Sequence, residues 1–229
     1  MLVFADLRRR MVDNQIRTAD VTHRSILAAI EDLPREVFVP EAMKAFSYSD
    51  RHLAVGHVGS TGETRYSLAP VLLARMVQAA EPSSGEKILH IACGTGYGSA
   101  IFAKLGAYVV ALDEDAGIIA AAERALAQAG VAAVRTLAGT LFDGAASEGP
   151  FDVIFIEGAY EREPETLVTQ LAPGGRLIGV SGVGRAGQVM LQVKTRDALT
   201  GREALTGRAV FDASAPLLRS FAKKPEFVF

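Results

Sequence analysis

The chain reads as an α/β protein built on a doubly wound, mostly parallel sheet, and three observations carry that reading. From Lys87 onward, short apolar runs alternate with helical patterns, as expected of parallel strands joined by helices on both faces. The run Ile88 to Ala92 breaks into Cys93-Gly94-Thr95-Gly96-Tyr97-Gly98 and resumes as a helical pattern, which reads as strand, tight turn and helix. A second run, Tyr108 to Leu112, ends in Asp113-Glu114-Asp115 and so places carboxylates at the carboxyl end of the next strand. With 229 residues and few aromatics, the chain is long enough to bury one sizeable core.

The elements follow in order. Residues 1–80 form an N-terminal helical and loop extension, and 81–229 the α/β domain. Ile26, Leu27, Ile30 and Leu33 have helical spacing, Thr22 can cap that helix, and Pro34 ends it. Arg35 to Pro40 reads as an extended link. The stretch onward to Thr64, rich in Gly, Ser and His, reads as a loop lying over something. Leu68 to Ala80 is helical with Pro70 in its first turn. Then come strand 87–92, helix 97–105, strand 108–112, helix 115–129 and strand 133–137, followed by strand 151–156, helix 161–170 and strand 176–180. Val189 to Val193 and the run through Phe211, Leu217, Leu218 and Phe221 have strand character, which predicts an antiparallel hairpin at the end of the sheet. Pro225 to Phe229 is too short to assign.

Bulk properties exclude several classes. A formal net charge of -2 without long runs of like charge leaves no electrostatic footprint for nucleic acid or an anionic membrane. The single cysteine, Cys93, forms no internal disulfide and, without a histidine cluster, no usual zinc site. At the N-terminus the apolar residues precede the charges, the reverse of a secretory signal, and no charge-free apolar span is long enough to cross a bilayer. The expectation is a soluble, cytoplasmic protein of unspecified oligomeric state.

The glycine turn and the acids after it mark a nucleotide-type cofactor site. Gly94 and Gly96 let the backbone approach a ligand, and Asp113, or Glu114 beside it, can accept hydrogen bonds from two ribose hydroxyls. The glycines stand two apart, unlike the Gly-x-Gly-x-x-Gly of a dinucleotide fold, and there is no Tyr-x-x-x-Lys pair and no Gly-x-Ser-x-Gly elbow.

Five segments together carry a family resemblance: Asp32 to Pro40 with its Pro-Arg-x-x-Phe-Val-Pro core, Tyr48-Ser49-Asp50-Arg51, Pro70 with Ala74-Arg75-Met76, the turn at 88–98, and Leu171 to Leu177 with its Pro-Gly-Gly. In that order they resemble protein-L-isoaspartate O-methyltransferase over most of the chain. The resemblance implies the S-adenosylmethionine-dependent methyltransferase fold, S-adenosylmethionine as cofactor, and methyl transfer to the carboxyl of an isoaspartyl residue in damaged protein. A carboxylate is already ionised at neutral pH and needs no general base, so no catalytic residue is singled out. The implied cofactor contacts are His90, Ala92, Cys93, Gly94 and Gly96 along the first strand and turn, Asp113 and Glu114, and Thr140 and Leu141.

Three departures from the family pattern fall in functional segments. Counting back from Pro70 without a gap, Leu68 stands where the family has a serine beside the reacting groups, and Ser67 replaces that hydroxyl only if the loop slips by one residue. His90 and Ala92 stand where the family has an acid, which helps hold the cofactor's ammonium, and a glycine. A neutral imidazole brings no opposing charge, and packing at a strand end is an equal role for His90. Ala92 is tolerable only without a positive φ. Thr140-Leu141 replaces Asp-Gly at the adenine, leaving a hydroxyl acceptor and an apolar side chain. Glu157 and Tyr160 end the fourth strand and by topology face the same mouth of the sheet, although a solvated loop is the favoured reading for both. Two readings stay open: a methyltransferase with altered motifs, and a catalytically silent relative acting as a cofactor-binding or protein-interaction module.

Overall fold

The computed structural model describes residues 3–196 and 203–223, so Pro225 to Phe229 lie outside the described residues. The chain opens with α1 (Phe4–Met11), which continues through a wide turn to Ile16 and a 3-10 turn to Ala19 before α2 (Arg24–Asp32). Met11, Val12 and Ile16 from the first segment and Ile26, Leu27 and Ile30 from the second enter the core. Thr22 does not cap α2: its backbone N–H, like that of His23, donates to Gln78 Oε1 at 2.8 and 3.0 Å. Arg35–Phe38 is a 3-10 turn instead of an extended link. The expected loop is an antiparallel hairpin of β1 (Leu53–Val58) and β2 (Glu63–Ser67). It leads into α3 (Pro70–Ala80), with proline in the first turn as its missing N–H allows.

The sheet alternation then runs much as the sequence implies. β3 (Lys87–Ile91), α4 (Tyr97–Lys104), β4 (Tyr108–Asp113), α5 (Ala116–Gln128) and β5 (Val134–Ala138) build one half. β6 (Phe151–Tyr160), α6 (Glu165–Val168), β7 (Leu171–Ser181), β8 (Gln188–Arg196) and β9 (Glu203–Asp212) build the other. Strand order is β5-β4-β3-β6-β7-β8-β9. The first five are parallel and β8 and β9 antiparallel, so the expected terminal hairpin is present, but its last strand ends at Asp212; Leu217 makes a single bridge to Ala159 and Arg219–Phe221 is a 3-10 turn. Only four residues of the expected helix 161–170 are α-helical, because Pro164 interrupts it.

The chain moves outward from β3 to β5 and returns to β6 on the other side of β3, which puts the switch point between β3 and β6, where such sheets bind ligands at the carboxyl ends of their strands. One face of the sheet packs against the N-terminal helices, α3 and α4 through Ile88, Val109, Val153 and Phe155. The other packs Leu89, Ile91, Leu112 and Ile154 under Leu141, Leu167, Leu218 and Phe221. Burial on both faces explains why the central strands read as continuous apolar runs. Among the described residues no helix is long and apolar enough to cross a membrane.

Candidate cofactor site

The glycine turn is a left-handed stretch of backbone. Gly94 and Gly96 have φ of 53° and 90°, and Ala92 has φ of 57°, so the alanine sits in the conformation that a β-carbon disfavours. Cys93 N–H donates to Leu112 O (3.1 Å), Gly96 N–H closes the turn on Cys93 O (2.9 Å), and the Thr95 hydroxyl donates to the Phe38 carbonyl, which ties the N-terminal extension to the turn. The Cys93 thiol is buried against Ala111 and Ile119, and burial pushes its pKa well up. Gly98 serves a different end: a β-carbon there would lie 2.7 Å from both Glu157 Oε2 and His90 Cε1.

Asp113, the last residue of β4, is fully buried at the sheet's carboxyl edge. Its Oδ2 accepts from Gly94 N–H (3.0 Å) and its Oδ1 from Glu114 N–H (2.8 Å). A third partner comes from the hairpin. Arg65, 1% exposed, sets Nε 3.1 Å from Asp113 Oδ2, Nη1 3.1 Å from Glu63 Oε1 and Nη2 3.2 Å from Glu114 Oε2. Burial raises the Asp113 and Glu63 carboxyls above their ordinary range, opposed by the Arg65 charge. The Ser220 hydroxyl closes over Glu114 from the chain's other end. Asp115 caps α5 at Gly117 and Ile118 and takes Gly59 N–H at 2.9 Å, fixing the hairpin tip.

His90 lies deeper, edge-on to Phe102 and Phe155, with Nδ1 2.7 Å from Ser99 Oγ and Nε2 2.9 Å from Glu157 Oε2, the latter pair off the angle of a hydrogen bond. Glu157 and Tyr160 are buried, which overturns the solvated-loop reading, because β6 extends past the sheet centre to Tyr160. Glu157 Oε1 accepts the Leu68 N–H (3.0 Å), and Arg35, fully buried, donates Nη2 to the Leu68 carbonyl (2.8 Å). The Ser67 hydroxyl faces the same Arg35 nitrogen at 3.4 Å. Thr140 is exposed and donates to Asp143, while Leu141 is fully buried in the core.

The structure thus brings Gly94, Asp113 and Glu114 into direct contact, sets His90 one layer below with Glu157, and turns Thr140 and Leu141 to other partners. Arg65 and Glu63 join the site unannounced by any motif, whereas Glu157 stands where the strand topology puts it. Among the described residues no group of three or more His, Cys, Asp or Glu stands where it could hold a metal ion.

A mostly parallel open sheet with a left-handed glycine turn and a buried acid at the neighbouring strand's end defines a protein of the nucleotide-cofactor α/β class. Residues 6–208 match the family model for protein-L-isoaspartate(D-aspartate) O-methyltransferase. A protein-L-isoaspartate O-methyltransferase of Gloeobacter violaceus is 37% identical over 168 residues, covering 73% of this chain and 79% of that protein. One from Methylorubrum extorquens is 33% identical over 219 residues, covering 94% and 90%. Among solved structures, a protein-L-isoaspartate O-methyltransferase superposes with TM-score 0.76 at 24% identity over 92% of this chain, which spans 65% of that protein's length. A Plasmodium falciparum structure described as this methyltransferase in complex with S-adenosyl-L-homocysteine superposes with TM-score 0.74 at 18% identity, covering 93% and 98%. The chain belongs to the protein-L-isoaspartate O-methyltransferase family.

Proposed function

We propose that this protein is an S-adenosylmethionine-dependent methyltransferase acting in the cytoplasm on isoaspartyl carboxylates of damaged proteins. The observation that carries the reading is Asp113, a buried acid at the end of β4 whose carboxylate touches the N–H of Gly94 in the left-handed turn. Family membership supports the acceptor class. Such an acceptor brings its own negative charge, which suits a site where no side chain stands out as a base; its demands are alignment and exclusion of water.

Tested against the cofactor, the site does not admit a ribose on Asp113 while the hairpin lies as described. Asp113 already accepts from two backbone N–H groups and Arg65, and a β-carbon built on Gly94 would lie 3.2 Å from Val55 Cγ2 and 3.7 Å from Arg65 Cγ. The room above the turn is taken by the hairpin. That filling, with Leu68 buried at the serine position, is the observation behind a second reading, a catalytically silent relative acting as a cofactor-binding or protein-interaction module.

Calorimetric titration with S-adenosylmethionine and S-adenosylhomocysteine, followed by methylation of an isoaspartyl peptide beside its aspartyl control, separates the two. Micromolar binding and isoaspartyl-dependent methyl incorporation are expected. Absence of binding at millimolar ligand leaves the silent relative as the answer.

A further inference from the structure

We infer that the β1–β2 hairpin is a latch on this site, held shut by Arg65, and that the nucleoside end of the cofactor enters only when the hairpin lifts. The inference rests on the cofactor reading above. Alternation along β2 turns Glu63, Arg65 and Ser67 inward and leaves Thr64 and Tyr66 half-covered. The inward arginine reaches the carboxylate that a ribose diol would use. A guanidinium presents N–H donors in one plane and a vicinal diol presents two O–H donors, so both answer the same acceptor. Arg65 and a ribose on Asp113 therefore exclude each other.

What holds the hairpin down is local and separable. At the tip, Gly59 N–H is on Asp115, and Thr61 O accepts from Arg219 Nη1 (3.1 Å). At the middle, Gly56 comes so close to α5 that an added β-carbon would lie 2.9 Å from Ile118 Cγ1. At the base, Leu68 N–H and C=O are fixed by Glu157 and Arg35, and Ala69 N–H donates to His52 Nδ1 (3.0 Å). The base contacts fall on Leu68 and Ala69, beyond Arg65 in the chain, and use partners other than Asp113, so the strands swing about them while Arg65 leaves its three carboxylates. The ligand that competes with Arg65 is thus a ribose-bearing molecule, and closure by the chain's own guanidinium keeps Asp113 out of water until one arrives.

The test is a reversible lock. Replacing Gly56→Cys and Ile118→Cys together puts two thiols within disulfide reach, while Cys93 stays buried and its thiol protonated. Calorimetric titration with S-adenosylhomocysteine is run on wild type and on the double variant, oxidised and reduced. Binding at least tenfold weaker in the oxidised form and restored by reduction is expected; equal affinity in the two forms overturns the latch and leaves the cofactor reading standing. Arg65→Gln provides the second arm, independent of the disulfide. It is expected to bind S-adenosylhomocysteine at least threefold more tightly than wild type, and unchanged or weaker binding counts against the latch. If wild type, the reduced pair and Arg65→Gln all fail to bind at millimolar ligand, the cofactor reading falls and the latch with it.

Discussion

Gly98 lies against Glu157 so closely that a β-carbon on the glycine would stand 2.7 Å from the carboxylate oxygen Oε2, with His90 Cε1 at the same distance. The third glycine of the turn is thus read by side chains, since a helix from β3 passes directly over the buried imidazole and carboxylate. Neither neighbour yields easily: His90 is edge-on to two phenylalanines and Glu157 is tied to Leu68. Gly98→Ala is expected to cost about 1–3 kcal/mol, the range of an overpacked core, measured by urea unfolding. A variant as stable as wild type would show that the pair is loosely held.

The central sheet was legible because its strands are buried on both faces and therefore apolar throughout, with Gly and Pro at their ends. Asp113 was legible for the same reason, as an acid ending an apolar run. The hairpin was not, because its inward positions on β2 are Glu63, Arg65 and Ser67; period-two alternation shows in a sequence only when the inward side chains are apolar, and here Arg65 is satisfied by carboxylates about fifty residues away, Glu63 by Arg65 and Ser67 by Arg35. The place of Glu157 at the end of the fourth strand was legible but its burial was not, its partners Leu68 and His90 lying on other elements. The helix α1 carries Phe4, Leu7 and Met11 at helical spacing, obscured by three consecutive arginines.

Ala92 holds a φ of 57° with a β-carbon in place, although the residue reads as tolerable only without that conformation. The left-handed region costs a non-glycine residue about 1–2 kcal/mol, and Ala92 is fully buried at the turn. Ala92→Gly is expected to stabilise the protein by about 1 kcal/mol, less than the full strain because glycine also loses more chain entropy. Differential scanning calorimetry reads this as a raised Tm; an unchanged or lowered Tm means that the surrounding packing compensates the alanine.

Arg65 bridges Glu63, Asp113 and Glu114 at once, so removing it leaves buried negative charge poorly compensated. Arg65→Met is expected to cost about 3–5 kcal/mol near neutral pH, as breaking a buried pair does. Burial already raises the Asp113 and Glu63 carboxyls, and without the arginine they rise further. For acids with raised folded values, stability is present in acid and lost as pH rises through those values. The deficit against wild type should therefore shrink toward pH of about 4, near the ordinary carboxylate range. Unfolding curves across pH would show a constant deficit if the three carboxylates were not coupled to Arg65.

Arg176 reaches from β7 to grip Glu86 with both ends of its fork, Nη1 and Nη2 each 2.8 Å from a carboxylate oxygen, and its Nη2 also donates to Glu81 O at 2.7 Å. This pins the segment between α3 and β3, and so the start of the strand that ends in the glycine turn. Burial pushes the Glu86 carboxyl up, but the Arg176 bonds and the Ser83 N–H outweigh it and hold the pKa below the ordinary value. The sign is opposite to that at Arg65: the stabilisation is present above the unfolded carboxylate pKa and is lost as pH falls through the lowered folded value. Glu86→Gln keeps the shape and removes the charge, and is expected to cost about 2 kcal/mol at pH of about 7, the scale of hydrogen bonds to a charged group. That gap should close in acid, where wild-type Glu86 is protonated as well. Parallel melts of the two proteins from acid to neutral pH decide it, and a gap that persists undiminished in acid would assign the loss to packing instead of to the ion pair.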